Sequence, residues 1–306
     1  MASTKDLEKV QVVGLGQACV DYLGRAPCYP PENGKVELLD LRMQCGGPAS
    51  TALVTLARFG VHTSFLGSIS DDYFGNKIVQ NLKDQGVDIS FLKVTPGLTS
   101  QFAFIAISKE GQRTIFWHRG SAPPISASEV DLSPFVNAKI LHIDGLMVEA
   151  CIEASRQAKM RGITVVMDAG TMREGSKELV SLVDVLIASE TFAKPLVGEG
   201  ADPKTVLKVL RDLGPRHVVI TLGHKGSVGL NDDGLYEQPA FRVNAVDTTG
   251  AGDVYHGAYI YALLQGETMA NCMRFASAAA ALKCKQIGAQ TGIPTLEQVK
   301  ELIEHQ

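Results

Sequence analysis

Between Asp247 and Asp253 the chain reads DTTGAGD and runs directly into VYHGAYIYALLQG, which has the apolar pattern of a helix. The first amides of a helix lack intrahelical partners and carry about half a positive charge, so an entry built of Gly250, Ala251 and Gly252 lets an anion rest on the backbone. Asp253 falls in the first turn, beside that anion. Amides that hold charge on a phosphate, next to a carboxylate that takes a hydroxyl proton, are what phosphoryl transfer to an alcohol requires. A helix simply capped by Asp247 or Thr249, with the glycines in an ordinary loop, uses the same residue types.

Such a site needs a scaffold, and composition bounds it. At 306 residues the chain is long for one domain and short for two full ones, which points to a large domain with a small appendage. The net charge of -4 and the lack of a basic run argue against nucleic-acid or anionic-membrane partners and favour small molecules. Cys19, Cys28, Cys45, Cys151, Cys272 and Cys284 show no C-x-x-C spacing, so they read as reduced thiols filling small apolar space. MASTKDLEKV has no apolar signal core, and no run of about eighteen apolar residues occurs, so a soluble, cytoplasmic protein is expected.

Short apolar runs alternate with amphipathic stretches. VQVVGLG, TSFLGSI, AKILHIDG, ITVVMDAG, VDVLIAS and HVVITLG read as buried strands. ASTALVTLARFG, FGNKIVQNLKDQG, VEACIEASRQAKMRG and DPKTVLKVLRDLG read as helices that end near glycine. This alternation predicts an α/β fold with a parallel sheet covered on both faces, and ligands bound outside the carboxyl ends of its strands.

Two segments break the pattern. Gly34 to Gln44 and Thr99 to His118 read as strands, the second a hairpin through KEGQ. The expected division is a core of residues 1–33, 46–98 and 119–306, with residues 34–45 and 99–118 forming a β lid that keeps water from the transfer. Extra edge strands on the main sheet are the alternative.

Four segments carry a resemblance: GGPASTALVTLARFG from Gly46, SISDDYFGNKIVQNLKDQGVD from Ser68, TLGHKGSVG from Thr221 and VDTTGAGDVYHGAYIYAL from Val246. In order and spacing they resemble the ribokinase family of carbohydrate kinases, the PfkB type, over nearly the whole chain. The resemblance implies a ribokinase-like three-layer α/β/α core with a small β-sheet lid, ATP as phosphoryl donor, Mg²⁺ as its companion ion, and a homodimer through the lid. By position, it makes Asp253 the base and Gly250, Ala251 and Gly252 the anion hole. Asp21 in GQACVDYLG matches the aspartate that accepts hydrogen bonds from sugar hydroxyls, and Gly46 and Gly47 let substrate approach the backbone. Ser189, Thr221, Gly223, Gly226 and Gly252 match positions along the nucleotide. In many members the Asp247 side chain and the Thr249 carbonyl help hold a monovalent cation such as K⁺, with carbonyls between Lys283 and Gly292 completing the site.

The chain also departs from the family pattern. Thr51 stands where many relatives place a sugar-binding asparagine, so the hydrogen-bond set differs from that of a ribose site. The N-x-x-E that orders Mg²⁺ waters appears as Ser189, Glu190, Thr191 and Phe192, with Glu190 two positions early. Arg119 in RTIFWHRG resembles a position where keto-deoxy sugar-acid kinases meet a carboxylate, and Arg173 in MDAGTMR is similar to a second. Lys35 in PENGKVE is similar to a residue of kinases for sulfonated sugars, while RTIFWHR with ILHIDG also resembles ketohexokinase. Converging arginines would select an acidic or phosphorylated substrate; surface ion pairs and a solubilising lysine are the plainer readings.

His118, His142, His224 and His256 show no metal-pair spacing; His256 alone shares a helix face with Asp253. The resulting reading is an ATP-dependent kinase that passes the γ-phosphoryl group to a hydroxyl of a ketose, aldose or sugar acid. A nucleoside kinase of the same fold would need a base-stacking aromatic, for which Trp117 is the candidate. A non-catalytic sugar or nucleotide sensor would leave Asp253 without a role. A dehydrogenase, prompted by Gly14-Leu15-Gly16, lacks the third glycine of the dinucleotide fingerprint.

Overall fold

The computed structural model describes residues 7–109 and 111–306. Its strands are β1 (Val12–Leu15), β2 (Cys19–Arg25), β3 (Asp40–Gly46), β4 (Thr63–Leu66), β5 (Ser68–Ser70), β6 (Lys93–Thr95), β7 (Phe102–Ile107), β8 (Arg113–His118), β9 (Ile140–Ile143), β10 (Thr164–Ala169), β11 (Val185–Ser189), β12 (His217–Thr221), β13 (Ser227–Asn231) and β14 (Gly234–Gln238). The helices are α1 (Pro48–Arg58), α2 (Tyr73–Asp84), α3 (Val148–Met160), α4 (Ser176–Ser181), α5 (Lys194–Val197), α6 (Pro203–Arg211), α7 (Ala251–Leu264), α8 (Met269–Lys283) and α9 (Leu296–His305).

The six apolar runs all become strands of one sheet, ordered β14-β13-β12-β11-β10-β9-β1-β4. From β12 to β4 the pairing is parallel, and β13 and β14 add an antiparallel edge that the apolar pattern had not revealed. Successive side chains of a strand enter opposite layers. Val12, Ile140, Val166, Ile187 and Val219 pack against α1, α7 and α8. Val13, Leu141, Val165, Leu186 and Val218 pack against α3, α4 and α6. Each such fully buried side chain stabilises the fold by about 1.5–3 kcal/mol before entropy is counted, which is why these runs are apolar throughout.

A second sheet, ordered β3-β2-β7-β8, forms the appendage. Its makeup corrects the expected division. Residues 19–25, assigned to the core with the rest of 1–33, form β2, an inner strand of the sheet, and residues 34–39 lie outside the strand that starts at Asp40. Without β2 the two lid segments would have no shared backbone partner; β2 pairs antiparallel with β3 and parallel with β7 and so satisfies both. Among the described residues no helix is long and apolar enough to cross a membrane.

Helices α1 and α7 come into close contact at Gly257, where a Cβ would stand 2.6 Å from the Ala52 carbonyl oxygen. That approach brings the start of α7 toward the Gly46-Gly47 turn that opens α1, joining two segments some two hundred residues apart in sequence.

Candidate functional site

The carboxyl ends of β1, β9, β10, β11 and β12 face one edge, with Leu15 opposite Ile143, Ala169 opposite Ala188, and Ser189 opposite Thr221. The first turn of α7 meets this edge. Gly250 caps the helix with φ 75°, a left-handed conformation, and a Cβ there would lie 2.5 Å from Ala289 Cβ, so only glycine fits. A Cβ on exposed Gly252 would meet nothing, and the Gly252 and Asp253 amides have no acceptor among the described residues. Two adjacent backbone donors are thus left open at the helix entry.

Asp253 is half-buried beside them. Burial, followed by repulsion from Asp168, pushes its pKa up to about 6, while His256 and Arg113 pull it down. Asp21 also raises it, which places the far end of the site within electrostatic reach.

Asp21 lies on β2, 4 % exposed, and accepts from Cys19 Sγ at 3.1 Å. Burial raises its pKa to about 6. Gly46 is needed against it, since a Cβ there would stand 2.1 Å from Asp21 Oδ2. Gly47 is the N-cap of α1. Thr51 does not fit its expected substrate role: it is one turn into α1 with no exposed surface, and its hydroxyl has no partner.

The candidates for an anionic substituent come from three separate segments. Lys35 is exposed in an irregular segment, Arg173 is exposed after β10, and the Arg119 guanidinium stacks 5.3 Å from the Trp117 ring centroid. None of the three forms an ion pair among the described residues.

At the opposite end, Ser189 Oγ donates to the Gly170 carbonyl at 2.8 Å and Thr221 Oγ1 to the Ala188 carbonyl at 3.3 Å. Gly223 and Gly226 bound the turn after β12, and Glu190 is exposed at the end of β11. Asp247 is buried, with Thr249 N and Oγ1 donating to Oδ1 at 2.8 and 2.7 Å, and Gly288 N to Oδ2 at 2.7 Å.

Several further residues belong to the site. Asp144, after β9, accepts from the Gln17 and Leu146 amides at 2.6 and 3.1 Å, and burial drives its pKa to about 7. Asp168, at the end of β10, is also raised by burial and is pulled back by His256, whose Nε2 is 3.6 Å from Oδ1. His256 Nδ1 donates to the Gly252 carbonyl at 2.6 Å and its Nε2 lies 3.3 Å from the Ile187 carbonyl, so the imidazole links the helix entry to β11 beside this carboxylate. Neighbouring His142 is fully buried, and burial lowers its pKa to about 3. Arg113 reaches from the lid to the Thr248 carbonyl at 2.7 Å. Lys283 lies fully buried beneath the 247–249 loop. Asp144 and Asp168 had a sequence signal: each is the carboxylate that ends an apolar strand run. Arg113 and Lys283 had none, because their roles depend on which loop each side chain meets.

Known proteins resemble this chain over nearly its whole length. The family model described as pfkB family carbohydrate kinase matches residues 9–296. Ribokinase of Haemophilus influenzae is 30% identical over 301 residues, covering 95% of this chain and 97% of that protein. 5-Dehydro-2-deoxygluconokinase of Clostridium perfringens is 26% identical over 319 residues, covering 97% and 93%. The structure of Arabidopsis thaliana ribokinase complexed with ribose and ATP superposes with a TM-score of 0.83 at 25% identity, covering 96% of this chain and 99% of that one. A family match spanning both sheets and both ends of the site has one reading: the chain belongs to the pfkB family of carbohydrate kinases.

Proposed function

We propose that this carbohydrate kinase uses Asp253 as the base for transfer from ATP, with the acceptor sugar held at Asp21 and the Gly46-Gly47 turn. The hydroxyl oxygen bonds to the γ-phosphorus as the bond to the bridging oxygen of ADP breaks, and the hydroxyl proton passes to Asp253. The open amides at Gly252 and Asp253 hold the charge on the phosphoryl oxygens. The observation that carries this reading is their juxtaposition with a carboxylate whose pKa of about 6 leaves it ionised yet basic at neutral pH. The nucleotide runs along Ser189, Thr221, Gly223 and Gly226 at the ends of β11 and β12.

No cluster of three ligating side chains occurs among the described residues. A Mg²⁺ ion carried on nucleotide phosphates needs only one or two carboxylates, and Asp168 and Glu190, at the ends of neighbouring strands, fit that demand. When bound, the ion neutralises phosphate charge.

The lid face turned away from Asp21 exposes Leu41, Met43 and Phe116, at 55%, 39% and 61%. An apolar patch of this kind supports a homodimer through the lid. Six unpaired cysteines support a cytoplasmic setting.

The test is ATP turnover across neutral ketoses and aldoses, sugar acids and nucleosides, with Asp253→Asn alongside. A loss of about 10³-fold in the variant is expected. An Asn form that keeps most of the rate removes Asp253 as base, and a nucleoside as sole acceptor replaces the sugar reading.

A further inference from the structure

The surroundings of Asp247 do not fit a monovalent cation drawn from solution. Lys283, in the last turn of α8, has no exposed surface; its Nζ donates to the Asp247 carbonyl at 2.7 Å and lies 3.8 Å from Asp247 Oδ2. Both carboxylate oxygens also accept from protein donors, Oδ1 from Thr249 N and Oγ1 and Oδ2 from Gly288 N. The next carbonyl, of Thr248, takes Arg113. Every oxygen that Asp247 could offer an ion is therefore engaged, and a positive charge is already present.

A buried carboxylate needs a counter-charge, and a buried ammonium needs acceptors. An ammonium group matches potassium in charge and approximately in size, so each can fill the other's place. A lysine supplies that charge with folding, with no ion to capture. The groups near this pair are Arg113 from the lid, Asp253 from α7, and Cys284, which follows Lys283 in the chain.

We infer that Lys283 is a built-in monovalent cation: its ammonium holds the Asp247–Gly250 loop in the shape that presents the α7 amides, and the enzyme is indifferent to potassium. The inference rests on the kinase reading of the same site. The loop continues straight into the cap residue Gly250, so its shape sets where the open amides point.

The test compares wild type, Lys283→Ala and Lys283→Met in potassium, ammonium, lithium and tetramethylammonium chlorides at equal ionic strength, using the fastest acceptor of the sugar panel. Wild-type kcat/KM is expected to change by less than about twofold across salts, while Lys283→Ala falls by about tenfold in tetramethylammonium and recovers in potassium or ammonium. A wild type that loses about tenfold without potassium overturns the inference, as does a fully active Lys283→Ala in tetramethylammonium. Thermal unfolding needs no turnover: potassium should raise the Tm of Lys283→Ala and leave wild type unmoved, and a potassium-raised wild-type Tm overturns the inference. If no acceptor is phosphorylated, the kinase reading fails while the unfolding comparison still decides on Lys283. Lys283→Met retains the stem if the alanine form does not fold, and if neither folds the wild-type salt comparison decides.

Discussion

Arg113, the first residue of lid strand β8, donates to the carbonyl and hydroxyl of Thr248 at 2.7 and 3.2 Å. The contact ties the lid to the loop that opens α7, and its charge lowers the pKa of Asp253. Arg113→Ala should therefore reduce kcat/KM by about tenfold and move the acid limb of the pH profile upward. A lower rate with an unmoved limb would mean that Arg113 acts through lid position alone.

His256 makes the matching contact from the helix side, between the Gly252 carbonyl and Asp168. As the proposed base, Asp253 would act only when ionised, so with a pKa of about 6 the wild-type kcat/KM should climb through pH 6 and level off above it. Removing the imidazole in His256→Ala takes away a group that lowers this pKa, so the limb should shift to higher pH, with a larger loss at pH 6.5 than at pH 8.5. Equal losses at both pH values would reduce His256 to packing.

Asp144 and Asp21 have folded-state pKa values raised to about 7 and about 6, so the folded protein binds more protons than the unfolded chain between the ordinary carboxylate range and those values. Their contribution to stability is full below the unfolded pKa and is lost as pH rises through 6 and 7. Asp144→Asn should accordingly reduce the drop in the ligand-free Tm between pH 5.5 and 7.5, by several degrees in the difference. An unchanged drop by calorimetry would show that Asp144 is not the group responsible.

Gly46→Ala would place a methyl group 2.1 Å from Asp21 Oδ2, so the carboxylate must move. The sugar KM should rise by about tenfold or more while the ATP KM stays near wild type, because only the acceptor end is disturbed. If both constants rise together, Asp21 is not confined to the sugar end.

The reaction class, the parallel sheet and its six apolar strands were legible in the sequence because they depend on local signals. Val-rich runs such as VVGL are apolar only when covered on both faces, and DTTGAGD entering a helix sets small residues and a carboxylate at its open amides within seven residues. Asp253 could be proposed for the same reason, while Asp21 and Gly46 came only from the positions that the family resemblance matches. What β2 pairs with, where Thr51 points and which loop Arg113 reaches were settled by the tertiary structure, since they depend on partners brought close only by folding. Arg119 and Arg113 show the difference: they lie in one short stretch with the same side chain, yet one stacks on Trp117 and the other grips Thr248. Lys283 is the sharpest case, for a lysine near a helix end reads as solvated until α8 packs beneath the 247–249 loop and seals its ammonium against Asp247.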